Sequence, residues 1–201
     1  MKYLLLTAAL LASPLALAAD DNPTHPVDPN APMPAAAEPS EWGWAFLGAL
    51  EFGGDSVATV SFTDGSTQKV RTGQGGTFGI GARYRPRASG PWGLRSTLGY
   101  KFVTTKADNA DIGITRLVWD VVASYRVGEK GWLGGGLVRH INPKFDGGGF
   151  GPNVSFDSAN GLRLEAGYSW FALAWTKMDY TDEFGGKYNA DAIGIVLTNA
   201  F

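Results

Sequence analysis

Few side chains in this sequence are suited to acid–base or nucleophilic chemistry. The chain of 201 residues has no cysteine and only two histidines, His25 and His140. Thiolate chemistry and disulfides are therefore excluded, and a transition-metal cluster is not expected. His25 lies in a proline-rich stretch, so His140 is the one candidate catalytic residue. Glu165, on the following predicted strand, is a carboxylate that could approach it.

The sequence around His140 resembles one known catalytic pair, but only in part. Outer-membrane lipid A deacylases place a His-x-Ser pair and a carboxylate on the outer surface of a barrel. His140-Ile141-Asn142 has asparagine where that family has its serine nucleophile, and Glu165 falls on the inward phase of its strand. We therefore expect no catalytic residue and interpret His140 as a structural histidine at the membrane interface. The alternative is an enzyme that modifies lipid A or phospholipid through His140.

A larger set of charged residues shares one face of the predicted strands. Its members are Arg83, Arg95, Lys101, Arg116, Asp120, Arg126, Arg163 and Glu165, together with Glu51. These residues could line a narrow pore or pair with one another into a plug. Eight strands enclose a space that side chains alone can fill, and unpaired buried charges are costly. We expect a plug, with a narrow pore as the alternative, and neither a cofactor nor a metal site.

The segments that position these residues alternate between large apolar residues and small or charged ones. This period of two predicts β-strands. The predicted strands are 42–52, 78–84, 92–102, 116–126, 131–141, 162–168, 171–180 and 190–201. In the fifth of them Gly134-Gly135-Gly136 gives no phase, so either Arg139 or His140 faces inward.

The composition of the two strand faces predicts a membrane barrel. Glycine and charged residues share one face, and glycine has little use on a freely solvated surface. A membrane barrel has a polar interior and an apolar exterior. The large apolar face then meets lipid, and its aromatic members are Trp42, Trp44, Trp92, Trp119 and Tyr125.

The connections between the strands alternate in length. Residues 87–90, 128–130 and 169–170 form short turns, whereas 53–73, 104–111, 142–157 and 181–187 are longer. Short turns face the periplasm and long loops face outside in such barrels. The first long loop contains two short strand-like arms around Asp64-Gly65, which predicts an extracellular hairpin at 57–71.

The two ends of the chain carry further signals. Residues 1–18 have a charged start, an apolar stretch and a small-x-small site at Ala16-Leu17-Ala18, as in a secretory signal peptide. Residues 19–41 are rich in proline and predict a periplasmic linker. The formal net charge of −2 gives no basic field for nucleic acid.

The last predicted strand alternates up to Phe201, with Leu197, Ile195 and Ile193 on its large face. A strand that stops on phenylalanine resembles the C-terminal signal of bacterial outer-membrane barrels, which the barrel assembly machinery recognises; Asn199 departs from that pattern. Residues 42–201 thus resemble the small eight-stranded OmpA- and OmpX-like barrels of Gram-negative bacteria.

That resemblance implies an all-β, eight-stranded antiparallel up-and-down transmembrane barrel in the outer membrane. We expect it to be a non-enzymatic monomer that lies among outer-membrane lipid and lipopolysaccharide, with loops for surface interaction or envelope integrity.

Overall fold

The computed structural model describes residues 40–61, 65–107, 110–149 and 151–199. Thirteen strands occur in these ranges. In chain order they are β1 (Glu41–Phe52), β2 (Ser56–Ser61), β3 (Thr67–Arg71), β4 (Gly75–Arg85), β5 (Trp92–Ala107), β6 (Ala110–Val127), β7 (Gly131–Asp146), β8 (Val154–Ser155), β9 (Ala159–Tyr168), β10 (Phe171–Lys177), β11 (Asp179–Thr181), β12 (Lys187–Asn189) and β13 (Ala192–Thr198). None of the described residues forms a helix with the length and apolarity needed to cross a membrane.

Eight of these strands close into a barrel. Going round the wall they follow the order β6-β5-β4-β1-β13-β10-β9-β7, and β7 pairs with β6 to complete the ring. Every pairing is antiparallel, and β13 returns to lie beside β1. The connections that carry the hairpins β2–β3 and β11–β12 lie at one end of the barrel, which we call the loop end. The short turns lie at the other, the turn end.

The distribution of side chains shows what surrounds the barrel. Large apolar residues stand on the outside, with Trp42 and Trp44 70% and 71% exposed. Charged residues such as Arg95 and Glu165 are almost completely buried inside. A barrel in water would have the reverse arrangement, so this one spans a membrane. The predicted fold class, an eight-stranded antiparallel up-and-down transmembrane barrel, is confirmed.

Three strands extend further towards the loop end than the sequence predicted. β5 continues to Ala107, β6 begins at Ala110, and β7 continues to Asp146, where β8 pairs with it. The predicted loops 104–111 and 142–157 are therefore partly strand. The alternation persists in these extensions but its polarity inverts: Val103 and Ile114 point inward, whereas Thr104 and Thr115 are exposed. In these extensions, beyond the lipid, apolar side chains point inward and polar ones outward, as in a soluble barrel.

The other predicted boundaries differ less from the structure. β10 ends at Lys177, and the last residues of the predicted seventh strand belong to β11, which pairs with β12. Strands β2 and β3 pair as a hairpin that begins at Ser56, one residue before the predicted range 57–71. β1 begins at Glu41, which the sequence had assigned to the linker. The predicted signal peptide (1–18), the rest of the linker up to residue 39, and Phe201 lie outside the described residues.

The seam between the first and last strands is extended by a side chain. Strand pairing in the seam is present from Phe52 opposite Ile193 to Leu47 opposite Thr198. Beyond it, the Asn199 side-chain oxygen accepts the Phe46 N–H at 2.8 Å, and its amide nitrogen donates to the Trp44 carbonyl at 2.8 Å. One asparagine amide thus supplies both the acceptor and the donor that a further peptide unit would have supplied.

Candidate functional site: the barrel interior

The predicted inward charges fall into two groups. Glu51, Arg95, Lys101, Arg116, Asp120, Arg163 and Glu165 are all buried, and we call this set the charged layer. Arg83 and Arg126 are only partly buried and lie near the turn end. Arg83 is 3.6 Å from the Glu41 carboxylate, and the same carboxylate accepts a hydrogen bond from Arg85.

The carboxylates of the charged layer bridge several strands. On β1, Glu51 contacts Lys101 Nζ at 2.7 Å and Arg163 Nη1 at 3.1 Å through its two oxygens. On β9, the Glu165 carboxylate accepts a hydrogen bond from Arg163 Nε at 2.7 Å. It also accepts two hydrogen bonds from the Arg95 guanidinium, at 2.9 and 3.2 Å. Because strands from opposite parts of the wall are joined, the charged layer fixes the cross-section of the barrel.

Asp120 and Arg116 complete the charged layer in different ways. Asp120 accepts the Thr97 hydroxyl at 2.8 Å and lies 3.8 Å from Arg95. Arg116 makes no ion pair with a described residue; its Nη2 donates to the Gln74 carbonyl at 2.7 Å, and its Nε and Nη1 have no protein partner there. Arg116 is the one cation of the layer that is held by a backbone dipole instead of a carboxylate.

An apolar layer fills the lumen on the turn-end side of Glu51 and Glu165. Its members are Leu47, Ala49, Trp132, Ala172, Ala174 and Val196. Trp132 lies flat over Gly167, where an added Cβ would come within 2.2 Å of the indole ring. The indole N–H donates to the Ser169 carbonyl at 3.0 Å. We call this set the turn-end apolar layer; glycine at position 167 provides the space for its largest side chain.

A second apolar layer closes the lumen at the loop end. We call it the loop-end apolar layer: Val60, Val70, Ile112, Ile114, Val118, Val138, Phe145, Phe156, Ala159, Met178, Tyr180 and Ala190. Val60 and Val70 come from the β2–β3 hairpin, which therefore packs into the mouth of the barrel. The hairpin is tied to β12 through the Asp55 N–H, which donates to the Asn189 carbonyl at 2.8 Å. The two apolar layers thus share the lumen with the charged layer, and on β6 Val118 lies between Arg116 and Asp120.

His140 lies inside the barrel, between the charged layer and the loop-end apolar layer. Its side chain is 3% exposed, whereas that of the neighbouring Arg139 is exposed on the outside. This settles the phase that the sequence had left open in the fifth predicted strand. Nδ1 of His140 is hydrogen-bonded to the hydroxyl of Tyr180. Burial raises the pKa of Tyr180 to about 12, so this hydroxyl remains protonated and can donate to the imidazole.

Glu165 does not approach His140, as the catalytic alternative would require. Glu165 pairs opposite Gly134, six residues before His140 on β7. At about 3.3 Å per residue, this separates the two positions by roughly 20 Å. Glu165 is also fully engaged by Arg95 and Arg163. The residues that would form a catalytic pair are therefore apart, and His140 is not on the lipid-facing surface.

The predicted lipid-facing aromatics all lie on the exposed outer surface. Trp42 packs against Tyr84, with ring centroids 4.6 Å apart, and Trp92 packs edge-on against Tyr125 at 4.9 Å. Trp119 donates its indole N–H to the Ser96 hydroxyl at 3.0 Å. These aromatics contribute area to the outer surface and make no contact with the charged layer.

Sequence reasoning missed the loop-end apolar layer and the tip of the β11–β12 hairpin. At this tip Phe184 is 84% exposed, the highest value among the large apolar residues that the structure describes. Asp182 organises the turn, since its Oδ1 accepts the N–H groups of Phe184 at 2.9 Å and Gly186 at 2.6 Å. One sequence signal could have predicted this hairpin. Asp182 to Gly186 is a short stretch typical of an Asx-type turn, and it lies between two tyrosines.

Comparison with protein families and with curated proteins gives no match. Among solved structures, the chain is similar to Ail, the attachment invasion locus protein of Yersinia pestis, in a crystal structure with the heparin analogue sucrose octasulfate. The similarity covers 79% of this chain and 97% of that one, at 14% identity and a TM-score of 0.36. The class of the present protein follows from its own closed ring of eight strands, apolar outside and charged inside. It is a small membrane barrel of the outer-membrane type.

Proposed function

We propose that this protein is an integral, non-enzymatic component of the bacterial outer membrane that is delivered by a cleaved signal peptide, residues 1–18. Its loop end would contact molecules outside the cell or contribute to envelope integrity. The observation that carries this proposal is the filled lumen, in which a charged layer and two apolar layers are buried together. An interior packed in this way leaves the outer surface and the loop end as the parts available for function.

The ion pairing favours a plug over a pore. Each buried carboxylate of the charged layer contacts at least one cation, and the β2–β3 hairpin packs across the mouth. Single-channel recording with the refolded protein is therefore expected to give no steady conductance. Large, steady openings would contradict the plug.

The position of His140 favours a structural role over catalysis. Its imidazole is buried and hydrogen-bonded to Tyr180, away from the lipid-facing surface on which a lipid substrate would lie. Mass spectrometry of lipid A and phospholipids should give the same acyl pattern with the protein, without it and with His140→Ala. A change that requires His140 would favour the enzyme.

The tip of the β11–β12 hairpin supports a role for the loop end at the cell surface. A single exposed aromatic side chain, held by a turn that Asp182 organises, presents apolar area at little entropic cost. The chain has no cysteine, so one introduced at position 184 can be labelled selectively. A membrane-impermeant maleimide should label Phe184→Cys on intact cells. Labelling only after lysis would show that this end does not face outside.

The compartment itself is tested by fractionation. The protein should be recovered with outer membranes and should migrate differently on gels before and after heating, as closed barrels do. Recovery as a soluble periplasmic protein would contradict the proposal. The two readouts are independent, since fractionation reports the location and heat modification reports closure of the barrel.

A further inference from the structure

Two buried cations lie directly opposite each other inside the barrel. Lys101 on β5 pairs with Arg116 on β6, and both side chains point into the lumen, where they are 1% and 2% exposed. Like charges at directly opposed positions of a sheet repel each other, and the repulsion is stronger away from water. Such a pair is stable only where other groups offset its charge.

The described protein groups offset this charge only in part. Lys101 Nζ donates to Glu51 at 2.7 Å and to the Gly73 carbonyl at 2.8 Å, which uses two of the three N–H groups of an ammonium. Arg116 Nη2 donates to the next carbonyl along the chain, that of Gln74, at 2.7 Å. Arg116 Nε and Nη1 have no partner among the described residues. Because the two side chains reach consecutive carbonyls, their remaining N–H groups lie in the same part of the lumen.

The charged layer as a whole has one positive charge in excess. It contains four cations, Arg95, Lys101, Arg116 and Arg163, and three carboxylates, Glu51, Asp120 and Glu165. Glu51 already contacts both Lys101 and Arg163, so it cannot compensate for Arg116 as well. A buried charge without a counter-charge is costly. One monovalent anion would make the charged layer neutral.

The N–H groups that remain favour an anion over a water molecule. Those of Arg116 and Lys101 are all donors, and a guanidinium does not lose its proton. Elsewhere in the charged layer the atoms without a protein partner include an acceptor, Asp120 Oδ2, and a donor, Arg95 Nε. A donor and an acceptor together suit a bridging water. Donors alone, on two cations, suit a ligand that only accepts.

The wall beside Arg116 is irregular. The pairing of β6 with β7 shifts register between Thr115 and Leu117, so no residue of β7 pairs opposite Arg116. A β-bulge of this kind redirects a side chain and interrupts regular packing. Since side chains fill the rest of the lumen, a monatomic ion suits the site better than a polyatomic one.

We propose that a halide ion, chloride under natural conditions, binds inside the lumen between Lys101 and Arg116. Arg116 Nε and Nη1 and the third N–H of Lys101 donate to it, and its charge neutralises the charged layer. The site belongs to the interior of the barrel, so this inference does not depend on the proposed role of the loop end.

The first test measures stability against chloride. The intact protein is refolded into lipid vesicles in sodium chloride or sodium gluconate at one ionic strength, so the ion has access during folding. A ligand that binds only the folded state lowers the equilibrium constant of unfolding, about tenfold at ten times its dissociation constant. The wild-type protein should show this saturable effect. Arg116→Met should lose it, because the substitution removes the charge together with its counter-ion.

Arg139→Met is the matched control. It removes an arginine that is exposed on the outer side of β7, and it should keep the full chloride effect. Equal chloride effects in the Arg116 and Arg139 variants would overturn the proposal. Equal stabilisation by chloride and gluconate would also overturn it, since it would show screening alone.

The second test locates the ion in the wild-type protein. In crystals grown with bromide, the anomalous signal should show a peak within hydrogen-bond distance of Arg116 and Lys101. Bromide peaks confined to the surface of the barrel would overturn the proposal. This measurement needs no variant, so it decides the question even if Arg116→Met fails to fold.

Discussion

The charged layer and the two apolar layers fill the same lumen by different means. In the charged layer each carboxylate is directed at particular cations on other strands, so these ion-paired members depend on one another. In the apolar layers the members exclude water and fill volume, and their contacts are less directional. The comparison indicates that the charged layer fixes which strands face each other, whereas the apolar layers fill the remaining volume of the lumen.

The largest effect should come from removing a carboxylate that serves two cations. Glu51→Gln leaves Lys101 and Arg163 without that charge in a buried site, which should cost about 3–5 kcal/mol in the free energy of unfolding. Urea unfolding in lipid vesicles measures this. Glu129→Gln, at an exposed turn, is the control and should cost little. Equal losses for the two variants would remove the special role of the charged layer.

The next effect should come from the turn-end apolar layer. In Gly167→Ala the new Cβ would lie 2.2 Å from the Trp132 ring, so the indole must move in a packed lumen. We expect the free energy of unfolding to fall by about 1–3 kcal/mol, as is typical when a packed core is overfilled. Gly135→Ala is a matched control, because its Cβ would meet only Leu164 Cδ2 at 3.6 Å. If Gly167→Ala leaves the free energy of unfolding unchanged, the turn-end apolar layer is loosely packed.

A smaller and local effect is expected at the loop end. Val70→Ala removes two buried methyl groups from the contact between the β2–β3 hairpin and the mouth of the barrel. This loss should weaken the docking of the hairpin by about 1–2 kcal/mol. Hydrogen exchange should become faster in the hairpin and stay unchanged in β13. Gln68→Ala, exposed on the same strand, controls for the substitution itself. Faster exchange throughout the barrel would show that the two parts unfold together.

The smallest effect should come from Arg116. Because no described carboxylate pairs with it, Arg116→Met should change the free energy of unfolding by less than about 1 kcal/mol, or even stabilise the barrel. This result would separate the charged residues that organise the layer from one that is only accommodated there. A loss as large as that of Glu51→Gln would place Arg116 among the organising residues.

The residues of the charged layer stand out in the sequence. Arg95 and Glu165 alternate with leucines and share their phase with glycines, and that pattern gives both the strand and the side of the barrel. At Gly134-Gly135-Gly136 no side chain marks which residues face inward. The sequence therefore did not predict whether the His140 side chain points into the barrel. Its partner Tyr180 is forty residues away in sequence, and only the closed barrel brings the two together.

The loop-end apolar layer was missed for another reason. Ile112 points inward although the same phase of β6 carries Arg116 and Asp120 nearer the middle of the barrel, and on β7 the inward phase shifts by one residue between His140 and Phe145. A search for lipid-facing periodicity ends at that change and assigns a loop. The docking of Val60 and Val70 into the mouth has no periodic signal, because it depends on how a hairpin folds back over the barrel.

The central claim, that the outer surface of the wall faces lipid, can be measured directly in this cysteine-free chain. Spin labels would be attached to single cysteines at Ile193, Ile195 and Leu197, which are exposed on β13, and at Lys187 as a control beyond the apolar surface. In lipid vesicles the β13 labels should collide readily with oxygen and rarely with a water-soluble nickel chelate, and the control should behave in the opposite way. High accessibility to the nickel chelate at Ile195 would contradict the membrane-spanning barrel.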